Sequence, residues 1–443
     1  MNVFFDTIGC RLNQAEIEQM AAQFRAAGHK VVGSAQTADV VVINTCAVTS
    51  AAASDSRQKA RQAYQSGAQR IYLTGCWVTL KPEDAAALRG VSDVILNPEK
   101  MDLPARVLEQ VGRDFKTEEI LREPLPGVRR RTRAFIKVQD GCDNHCTFCI
   151  TRLARGRCLS MPKEKVLNDI HAAEERGVRE VVLSGVNLGS WGKDLAEGES
   201  FTDLLAFLLA NTRVERIRLS SIEPWDIEGR FFRLWENPRM CRHLHLPLQS
   251  GSMGVLRRMA RHTSPADFEN LVSLARKAIP GVAITTDVIV GFPGETEEEF
   301  HESLHFVEKM SFAGGHVFRF SPREGTAAAL LPGRINGVIA RERALKMQSL
   351  LKRSEDEFLS KAIGLEIPVL WEGSARKEGN LWILQGLSDN YMKVRVRATK
   401  KRWNRIDPVR IESVNGGVLE GCLVNDENDS PSAESLRSSQ QAC

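Results

Sequence analysis

Three cysteines stand close together in the middle of the chain, in the segment Cys142-Asp-Asn-His-Cys146-Thr-Phe-Cys149. They follow the apolar run at residues 134–138, which predicts a strand, so the three thiols lie in the loop at its end. Thiolates hold iron–sulfur clusters, and three of them on a four-iron cubane leave one iron open to a small molecule. The spacing Cys-x3-Cys-x2-Cys therefore predicts a cluster with one open iron.

Other roles for these thiols need different surroundings. Cys146 and Cys149 have the spacing of half a zinc ribbon, but no second Cys or Cys/His pair stands at a suitable distance. A redox-active dithiol at the same two positions leaves Cys142 unexplained. Cys158 is the candidate for a fourth ligand, which would restrict the cluster to electron transfer, and a buried free thiol is its alternative role.

A second set of cysteines, Cys10, Cys46 and Cys76, is spread along the first part of the chain. Each directly follows a β-branched run, at residues 3–8, 39–45 and 70–74, and helical stretches separate the runs. This pattern favours an open parallel sheet, whose ligands bind at the carboxyl ends of the strands. We therefore expect these thiols to meet at one edge and hold a second cluster, although a lone cysteine there is ordinarily a small buried side chain.

The elements after residue 134 also alternate between strand and helix. Six strand-like runs cover residues 134–139, 180–187, 216–222, 243–249, 283–290 and 316–321. Six βα units are fewer than the eight of a closed barrel, so an open, partial (βα)6 barrel is expected, with its site at the strands' carboxyl ends. A helix over residues 341–361, with Leu345, Gln348, Leu351 and Phe358 near helical spacing and charge elsewhere, should brace this barrel.

The last folded part, residues 364–424, contains short strand-like runs that predict a small antiparallel β-barrel. Lys393, Arg395 and Arg397 alternate with valines, so they should share one face. Residues 393–410 carry eight Lys/Arg and one acid, with Trp403 among them, which predicts a face that binds RNA. An ordinary solvated sheet face shows the same alternation and is the alternative.

Composition limits the class of protein. The 443 residues are 42% apolar with a formal net charge of +4, which suits two to four globular domains and does not by itself identify a nucleic-acid partner. Ten cysteines are too sparse for a secreted disulfide scaffold. With no basic leader and no apolar run of membrane-spanning length, a cytoplasmic protein is expected. The basic run Arg129 to Arg133 predicts a solvated linker or a guide for a polyanion.

These motifs resemble the radical S-adenosylmethionine methylthiotransferase family over residues 1 to about 424. The cluster motif from Cys142 is similar to that of radical S-adenosylmethionine enzymes, and the segments around Cys10, Cys46 and Cys76 are similar to the family's amino-terminal domain. Residues 386–394 resemble its RNA-binding TRAM domain. The resemblance implies an amino-terminal α/β domain at 1–115, a radical S-adenosylmethionine core at 128–360, a TRAM-like β-barrel at 361–424 and a disordered tail at 425–443.

Segments 9–14, 44–49 and 133–141 look most like the branch that acts on N6-threonylcarbamoyladenosine in tRNA. The resemblance implies two 4Fe-4S clusters, S-adenosyl-L-methionine, a tRNA anticodon stem-loop as partner and an electron donor of flavodoxin or ferredoxin type. The reaction would place a methylthio group on C2 of the modified adenosine at position 37. Sister branches act on isopentenyladenosine-37 or a ribosomal-protein aspartate, and these stay open, as does a non-catalytic iron–sulfur RNA-binding protein.

The same resemblance implies contacts to S-adenosylmethionine from Gly185, Asn187 and Gln249, and no catalytic side chain beyond the cluster ligands. Residues of these types also occur at strand ends as ordinary turn residues. His245 points either into or out of the barrel by strand alternation. The chain departs from the family, without loss of a ligand, where expected prolines are replaced by Arg152, Arg319, Glu324 and Ala327.

Overall fold

The computed structural model describes residues 1–109, 132–196 and 198–424. The predicted disordered tail and residues 129–131 of the basic run lie outside this range. Within it the chain forms an open parallel sheet, an open barrel and a small closed barrel, in that order. None of the helices described combines the length and apolar character needed to cross a membrane.

The first part is a parallel sheet with helices on both faces. Its strands are β1 (Asn2–Thr7), β2 (Lys30–Val32), β3 (Val40–Thr45), β4 (Arg70–Gly75) and β5 (Val91–Ile95). Its helices are α1 (Arg11–Ala26), α2 (Ser50–Gln65), α3 (Cys76–Leu80), α4 (Pro82–Ala86) and α5 (Leu103–Val107). The order is β2-β1-β3-β4-β5. β3 is buried along its whole length because helices cover both of its faces, as its continuous apolar run predicts.

The central part is the predicted open barrel. Its six barrel strands are β6 (Arg133–Lys137), β9 (Glu180–Ser184), β10 (Arg216–Leu219), β11 (His243–His245), β12 (Ala283–Val290) and β13 (Gly314–Arg319). Between β6 and β9, β7 (Gln139–Asp140) and β8 (Leu159–Ser160) pair with each other in a separate antiparallel ribbon. Parallel ladders join β6-β9-β10 and β11-β12-β13, and isolated bridges from Ile217 and Ser221 connect the two sets. Among the residues described, β6 and β13 do not pair, so the barrel stays open.

Helices surround the outside of this barrel. They are α7 (Lys163–Glu174), α8 (Phe201–Asn211), α9 (Met253–Arg258), α10 (Pro265–Ala278), α11 (Glu297–Met310) and α12 (Gly337–Ser360). The short α6 (Thr151–Arg155) instead packs against the amino-terminal part through Ala154. Val288 and Val290 belong to the core beneath these helices. Because side chains alternate along a strand, Asp287 and Ile289 face the barrel interior, which we call the lumen.

The prediction for the apolar side of α12 was wrong at Leu345, which is 54% exposed, while Ala344 and Met347 are buried. Two contacts set the rotation of the helix. The buried Arg343 pairs with Glu295 at 2.7 Å. Gly315 also lets the helix approach β13, because a Cβ atom there would lie 3.2 Å from Leu351 Cδ1. Periodicity alone does not reveal a buried arginine on the inner face.

The last part confirms the predicted small barrel. Its strands are β14 (Glu366–Trp371), β15 (Arg376–Glu378), β16 (Leu381–Ser388), β17 (Lys393–Ala398), β18 (Ile406–Asn415) and β19 (Val418–Leu423). Pairing of β14 with β16 closes the ring β14-β18-β19-β17-β16. The ladders of this ring are antiparallel as predicted, except that β17 and β19 pair in parallel. Arg216 and Arg218 of β10 donate to backbone carbonyls of this barrel and so fasten it to the central one.

Candidate cluster sites and the barrel lumen

The structure brings Cys10, Cys46 and Cys76 to the carboxyl ends of β1, β3 and β4, which are neighbours in the sheet. Cys10 is exposed, and the other two are buried. Burial, together with the nearby Cys76 and Cys10 thiols, raises the pKa of the Cys46 thiol to about 11. The three thiols therefore share one site, and their role as ligands stays a prediction.

Two glycines leave room for this site. Gly9 has a φ of +106°, and a Cβ atom there would lie 2.7 Å from Cys46 Sγ. Gly75 has a φ of +103°, and its Cβ would meet the Thr45 carbonyl oxygen at 2.3 Å. Both positions need glycine because the backbone is left-handed and close to its neighbours. The strand ends are thus shaped to keep the thiols together.

The second cysteine set occupies the loop that follows β7. A Cβ atom at Gly141 would lie 1.8 Å from the Arg157 carbonyl oxygen, so only glycine allows the tight entry to the loop. Burial, with added repulsion from the Cys149 and Cys146 thiols, raises the pKa of the Cys142 thiol to about 11. These three thiols also share one site, at the carboxyl end of β6.

A buried cation stands beside this loop. Arg261 Nη1 lies 3.8 Å from Cys146 Sγ, and the same guanidinium pairs with Glu223 at 2.7 Å and covers the Trp225 ring at 4.5 Å. Burial raises the pKa of the Cys146 thiol, and Arg261 opposes that rise. On the other cysteine set, Asn97 Nδ2 approaches Cys76 Sγ at 3.7 Å. Donors of this kind stabilise the negative charge of thiolates and of the clusters that they hold.

The donor set fits clusters better than single ions. Among the described ranges, no three His, Cys, Asp or Glu side chains are arranged to hold one metal ion. A zinc site needs its sulfur atoms around one point, at about 2.3 Å from the metal. In a cubane each thiolate binds a different iron, so three thiols spaced more widely are the ligand set that it requires. Each cysteine set supplies the three free thiols that such a cluster would need.

Gln139 organises the loop where contacts to S-adenosylmethionine were predicted. Its side-chain oxygen accepts from the backbone amides of Val186 and Asn187, at 2.9 Å each. Gly185 fits closely here, since a Cβ atom on it would lie 3.0 Å from that same oxygen. The Asn187 amide group is already engaged with Asp226 at 2.6 Å. Its predicted contact to the cofactor, like that of Gly185, stays a prediction.

Two further predicted positions have clear surroundings. The Cys158 thiol is buried and lies 3.4 Å from both Ser190 Oγ and Gln139 Nε2, which favours the free-thiol role over a fourth ligand. Gln249 has a φ of +69°, and its backbone bridges to β12 through the Asp287 carbonyl and the Ile289 amide. This strained backbone places Gln249 at the carboxyl ends of β11 and β12, and its contact to the cofactor stays a prediction.

Glu16 joins the two cysteine sites and was not foreseen. Its fully buried carboxylate accepts from Lys100 at 2.6 Å, Lys137 at 3.1 Å and Arg155 at 2.9 Å. Burial alone would raise the pKa of Glu16, but these three cations hold it well below the usual range. The signal available in the sequence was an acid within the buried face of α1.

The lumen carries a second polar group. His245 points inward, with Nδ1 3.0 Å from Thr285 Oγ1 and Nε2 3.3 Å from Asp287. The other Asp287 oxygen lies 3.3 Å from His316 Nδ1. Burial opposes ionisation of Asp287, but hydrogen bonds from the two imidazoles hold its pKa far below the usual range. An acid that breaks the apolar run of β12 was the sequence signal for this group.

Comparison with known proteins agrees with this architecture. Residues 136–307 match the Radical SAM superfamily, and residues 2–97 match an uncharacterized protein family, UPF0004. The tryptophan-binding radical S-adenosylmethionine methyltransferase TsrM from Kitasatospora setae has a similar fold, with a TM-score of 0.55 over 72% of each chain at 14% identity.

Curated relatives match along almost the whole chain. The Threonylcarbamoyladenosine tRNA methylthiotransferase MtaB of Bacillus subtilis is 35% identical over 95% of this chain and 96% of its own. The protein of the same name from Thermotoga maritima is 36% identical over the same shares. The tRNA-2-methylthio-N(6)-dimethylallyladenosine synthase of Clostridium tetani is 30% identical over 94% and 95%. The chain therefore belongs to the methylthiotransferase family of radical S-adenosylmethionine enzymes.

Proposed function

We propose that this protein attaches a methylthio group to C2 of N6-threonylcarbamoyladenosine at position 37 of tRNA. The observation that carries the proposal is the pair of three-thiol sites, one on the parallel sheet and one on the open barrel, joined by the buried Glu16 group. The curated relatives from Bacillus subtilis and Thermotoga maritima are named for this reaction. The family implies a 4Fe-4S cluster and S-adenosylmethionine at the barrel site.

The roles of the residues follow from their positions. Cys142, Cys146 and Cys149 would hold the barrel cluster, and Cys10, Cys46 and Cys76 a second one. Loaded with S-adenosylmethionine, the barrel cluster supplies a carbon radical that can break the unactivated C–H bond at C2. Gln139 orients the loop from Gly185 to Asn187 for the cofactor, and Gln249 borders it. Arg261 balances charge beside Cys146.

Binding of tRNA is proposed for the outer face of β17. Lys393, Arg395 and Arg397 alternate with buried residues, as expected for a shared face. Two of them have acidic neighbours within the barrel, since Arg395 lies 3.1 Å from Glu420 and Arg397 lies 4.0 Å from Glu378. These exposed pairs are weak, so phosphates can replace the carboxylates. With this anchor, the anticodon stem-loop would reach the open side of the barrel.

The remaining parts of the proposal concern organisation and partners. We place the amino-terminal domain at 1–115, the radical core at 128–360 and the TRAM-like domain at 361–424. The proposal also includes a second 4Fe-4S cluster, a flavodoxin or ferredoxin as electron donor, and a cytoplasmic location. All are consistent with an enzyme that needs low-potential electrons and acts on tRNA.

The test is an anaerobic assay of the reconstituted protein with a strong reductant and S-adenosylmethionine. Three substrates are compared: tRNA with threonylcarbamoyladenosine at position 37, tRNA with isopentenyladenosine there, and the ribosomal protein of the sister branch. Mass spectrometry of digested products should show the 2-methylthio nucleoside from the first alone. Product from either of the others in its place contradicts the proposal, and the Cys146→Ala variant serves as the blank.

A further inference from the structure

Arg11, the first residue of α1, is a cation with no carboxylate partner among the described residues. Its guanidinium donates to the Tyr391 hydroxyl at 2.8 Å and lies over the Tyr391 ring at 5.2 Å. The guanidinium groups of Arg133 and Arg218 also lie over this ring, at 5.8 Å and 4.9 Å from its centroid. Those two are neutralised by acids, Glu372 at 3.0 Å and Glu180 at 2.6 Å. Arg11 alone is left with uncompensated charge.

Such an arrangement is costly without an anion. A partly buried charge loses hydration that a neutral hydroxyl replaces only in part. The surplus of positive charge also affects the phenol: burial opposes ionisation, yet Arg11 and Arg133 lower the pKa of Tyr391. An anionic group that enters the lumen beside Arg11 would therefore be stabilised by charges already in place.

A second polar group, the imidazole of His316, faces the same space from β13. Gly315 and Val317 of this strand contact α12 and the core, so His316 and Phe318 point into the lumen. Their side chains remain 76% and 39% exposed. The hydrogen bond to Asp287 raises the pKa of His316, and Arg11 is near enough to oppose that rise. His316 uses Nδ1 for Asp287, which leaves Nε2 for a ligand.

The position of α1 determines which side of the lumen stays open. Ala15 of α1 packs on Phe135 and Val182, so the helix covers the lumen on the side of β6 and β9. The side of β13 is left uncovered, with His316 and Phe318 along it. Arg11 on α1 and His316 on β13 thus border the same part of the lumen, near enough for the Arg11 charge to act on His316.

We propose that Arg11 and His316 form an anion site that binds the carboxylate of the threonyl group on the substrate adenosine, with Phe318 against the neighbouring apolar atoms. The inference rests on the proposed function and identifies the threonyl carboxylate as the part of the substrate that this site recognises. An isopentenyl group in the same place would leave Arg11 uncompensated, and a site built for a polar group rejects the analogue that lacks it. The site would thereby separate this enzyme from the isopentenyladenosine branch.

The test compares two anticodon stem-loops that differ only at position 37, one with threonylcarbamoyladenosine and one with plain adenosine. Binding of both to the anaerobically reconstituted holoenzyme is measured for the parent, His316→Ala and Arg11→Gln. The control is His301→Ala, because His301 is also an exposed histidine paired with an acid, Glu297 at 3.2 Å, but on the outer helix α11. The dissociation constant for S-adenosylmethionine is measured in every sample.

The parent and His301→Ala should prefer the threonylcarbamoyl stem-loop. His316→Ala should reduce that preference about tenfold, the usual effect of losing one charged hydrogen bond, and Arg11→Gln should abolish it. Arg11 is next to Cys10, so the Arg11→Gln variant could lose iron. In that case the result for His316→Ala is used to test the proposal. An unchanged ratio in His316→Ala, or no preference in the parent, overturns the proposal.

Weaker S-adenosylmethionine binding with an unchanged ratio also overturns it, because the carboxylate would then be that of the cofactor's methionine. Failure of the proposed function itself is visible separately. In that case the parent enzyme makes no methylthio product from threonylcarbamoyl tRNA, before any variant is compared.

Discussion

The Arg155 guanidinium donates to the Asn13 side-chain oxygen across 2.5 Å and to Asp140 at 2.9 Å. Asn13 lies one turn after Cys10, and Asp140 lies just before the loop that carries Cys142. One buried side chain therefore touches the supports of both cysteine sites, and Glu16 accepts from the same guanidinium. The separation of the two sites is set by this group, because buried ion pairs with several hydrogen bonds hold a unique geometry.

We expect Arg155→Lys to uncouple the two sites. Lysine keeps the charge, but a single ammonium lacks the planar fork that reaches Asn13, Asp140 and Glu16 together. Methylthio transfer should fall more than tenfold, while cleavage of S-adenosylmethionine to 5'-deoxyadenosine without tRNA continues near the parent rate. Arg152→Lys, in the same helix but bonded to His145, is the control. Equal loss of both activities would show that Arg155 serves only the barrel site.

The two cysteine sets should separate in iron content and in activity. Two cubanes imply about eight iron atoms per chain after anaerobic reconstitution. Cys46→Ala should retain about half of that iron and the cleavage of S-adenosylmethionine, but no transfer. Cys146→Ala should lose both activities. Stoichiometric zinc in the parent, or loss of cleavage in folded Cys46→Ala, would contradict the assignment.

The raised thiol pKa values predict an order of alkylation in the metal-free protein. With a pKa of about 11, Cys46 and Cys142 are about one-thousandth ionised at pH 8. The thiolate is the reactive form, so exposed Cys10 and Cys149 should react with iodoacetamide first. Rates at the two buried thiols should rise about tenfold per pH unit up to about pH 11. Peptide mass spectrometry gives the order, and equal rates at pH 8 would contradict it.

Cluster loading depends on the same loss of a proton from each thiol. Each ligand must lose its proton to bind iron, so assembly should release protons and proceed more readily as pH rises. Loading should slow alkylation of all six thiols, and removing iron with a chelator should return the exposed Cys10 and Cys149 to fast alkylation. A loaded protein whose six thiols alkylate as fast as in the metal-free form would show that they are not ligands.

The positions of the cysteines could be predicted because they depend on local pattern alone. A β-branched run followed by Cys places a thiol at a strand end, and parallel topology gathers strand ends at one edge. The same reasoning gave six barrel strands and a small carboxyl-terminal barrel, and the fold confirms both. Whether a segment forms a strand can be predicted from a few neighbouring residues.

The contacts between domains could not be predicted in this way. Tyr391 reaches Arg11 across 380 residues, and Lys137 reaches Glu16 across 121. Each of these residues looks like an ordinary surface residue in its own segment, since a charged side chain becomes a buried partner only when another domain covers it. The buried face of α12 was predicted wrongly for the same reason, because tertiary contacts of Arg343 and Gly315 determine how the helix is rotated.

The last prediction concerns the RNA-binding face of β17. Changing Lys393, Arg395 and Arg397 to Ala together should weaken tRNA binding without harm to the core, because Val394 and Val396 on the opposite face stay buried. Each lost phosphate contact should reduce the slope of log affinity against log salt by about 0.7 to 0.9. Cleavage of S-adenosylmethionine without tRNA should continue at the parent rate, since the strand lies outside both cysteine sites.

A matched variant distinguishes specific contacts from general charge. The control changes three exposed residues on the outside of α12 to Ala: Lys346, Lys352 and Arg353. This variant loses the same formal charge, but its affinity for tRNA and the slope of log affinity against log salt should stay nearly unchanged. Because Arg395 and Arg397 already have acidic neighbours, the largest single effect should come from Lys393. If the β17 variant bound tRNA with the parent's affinity and slope, this strand would be an ordinary solvated face. The arginines at 129 to 133 would then be the leading candidates for the anchor.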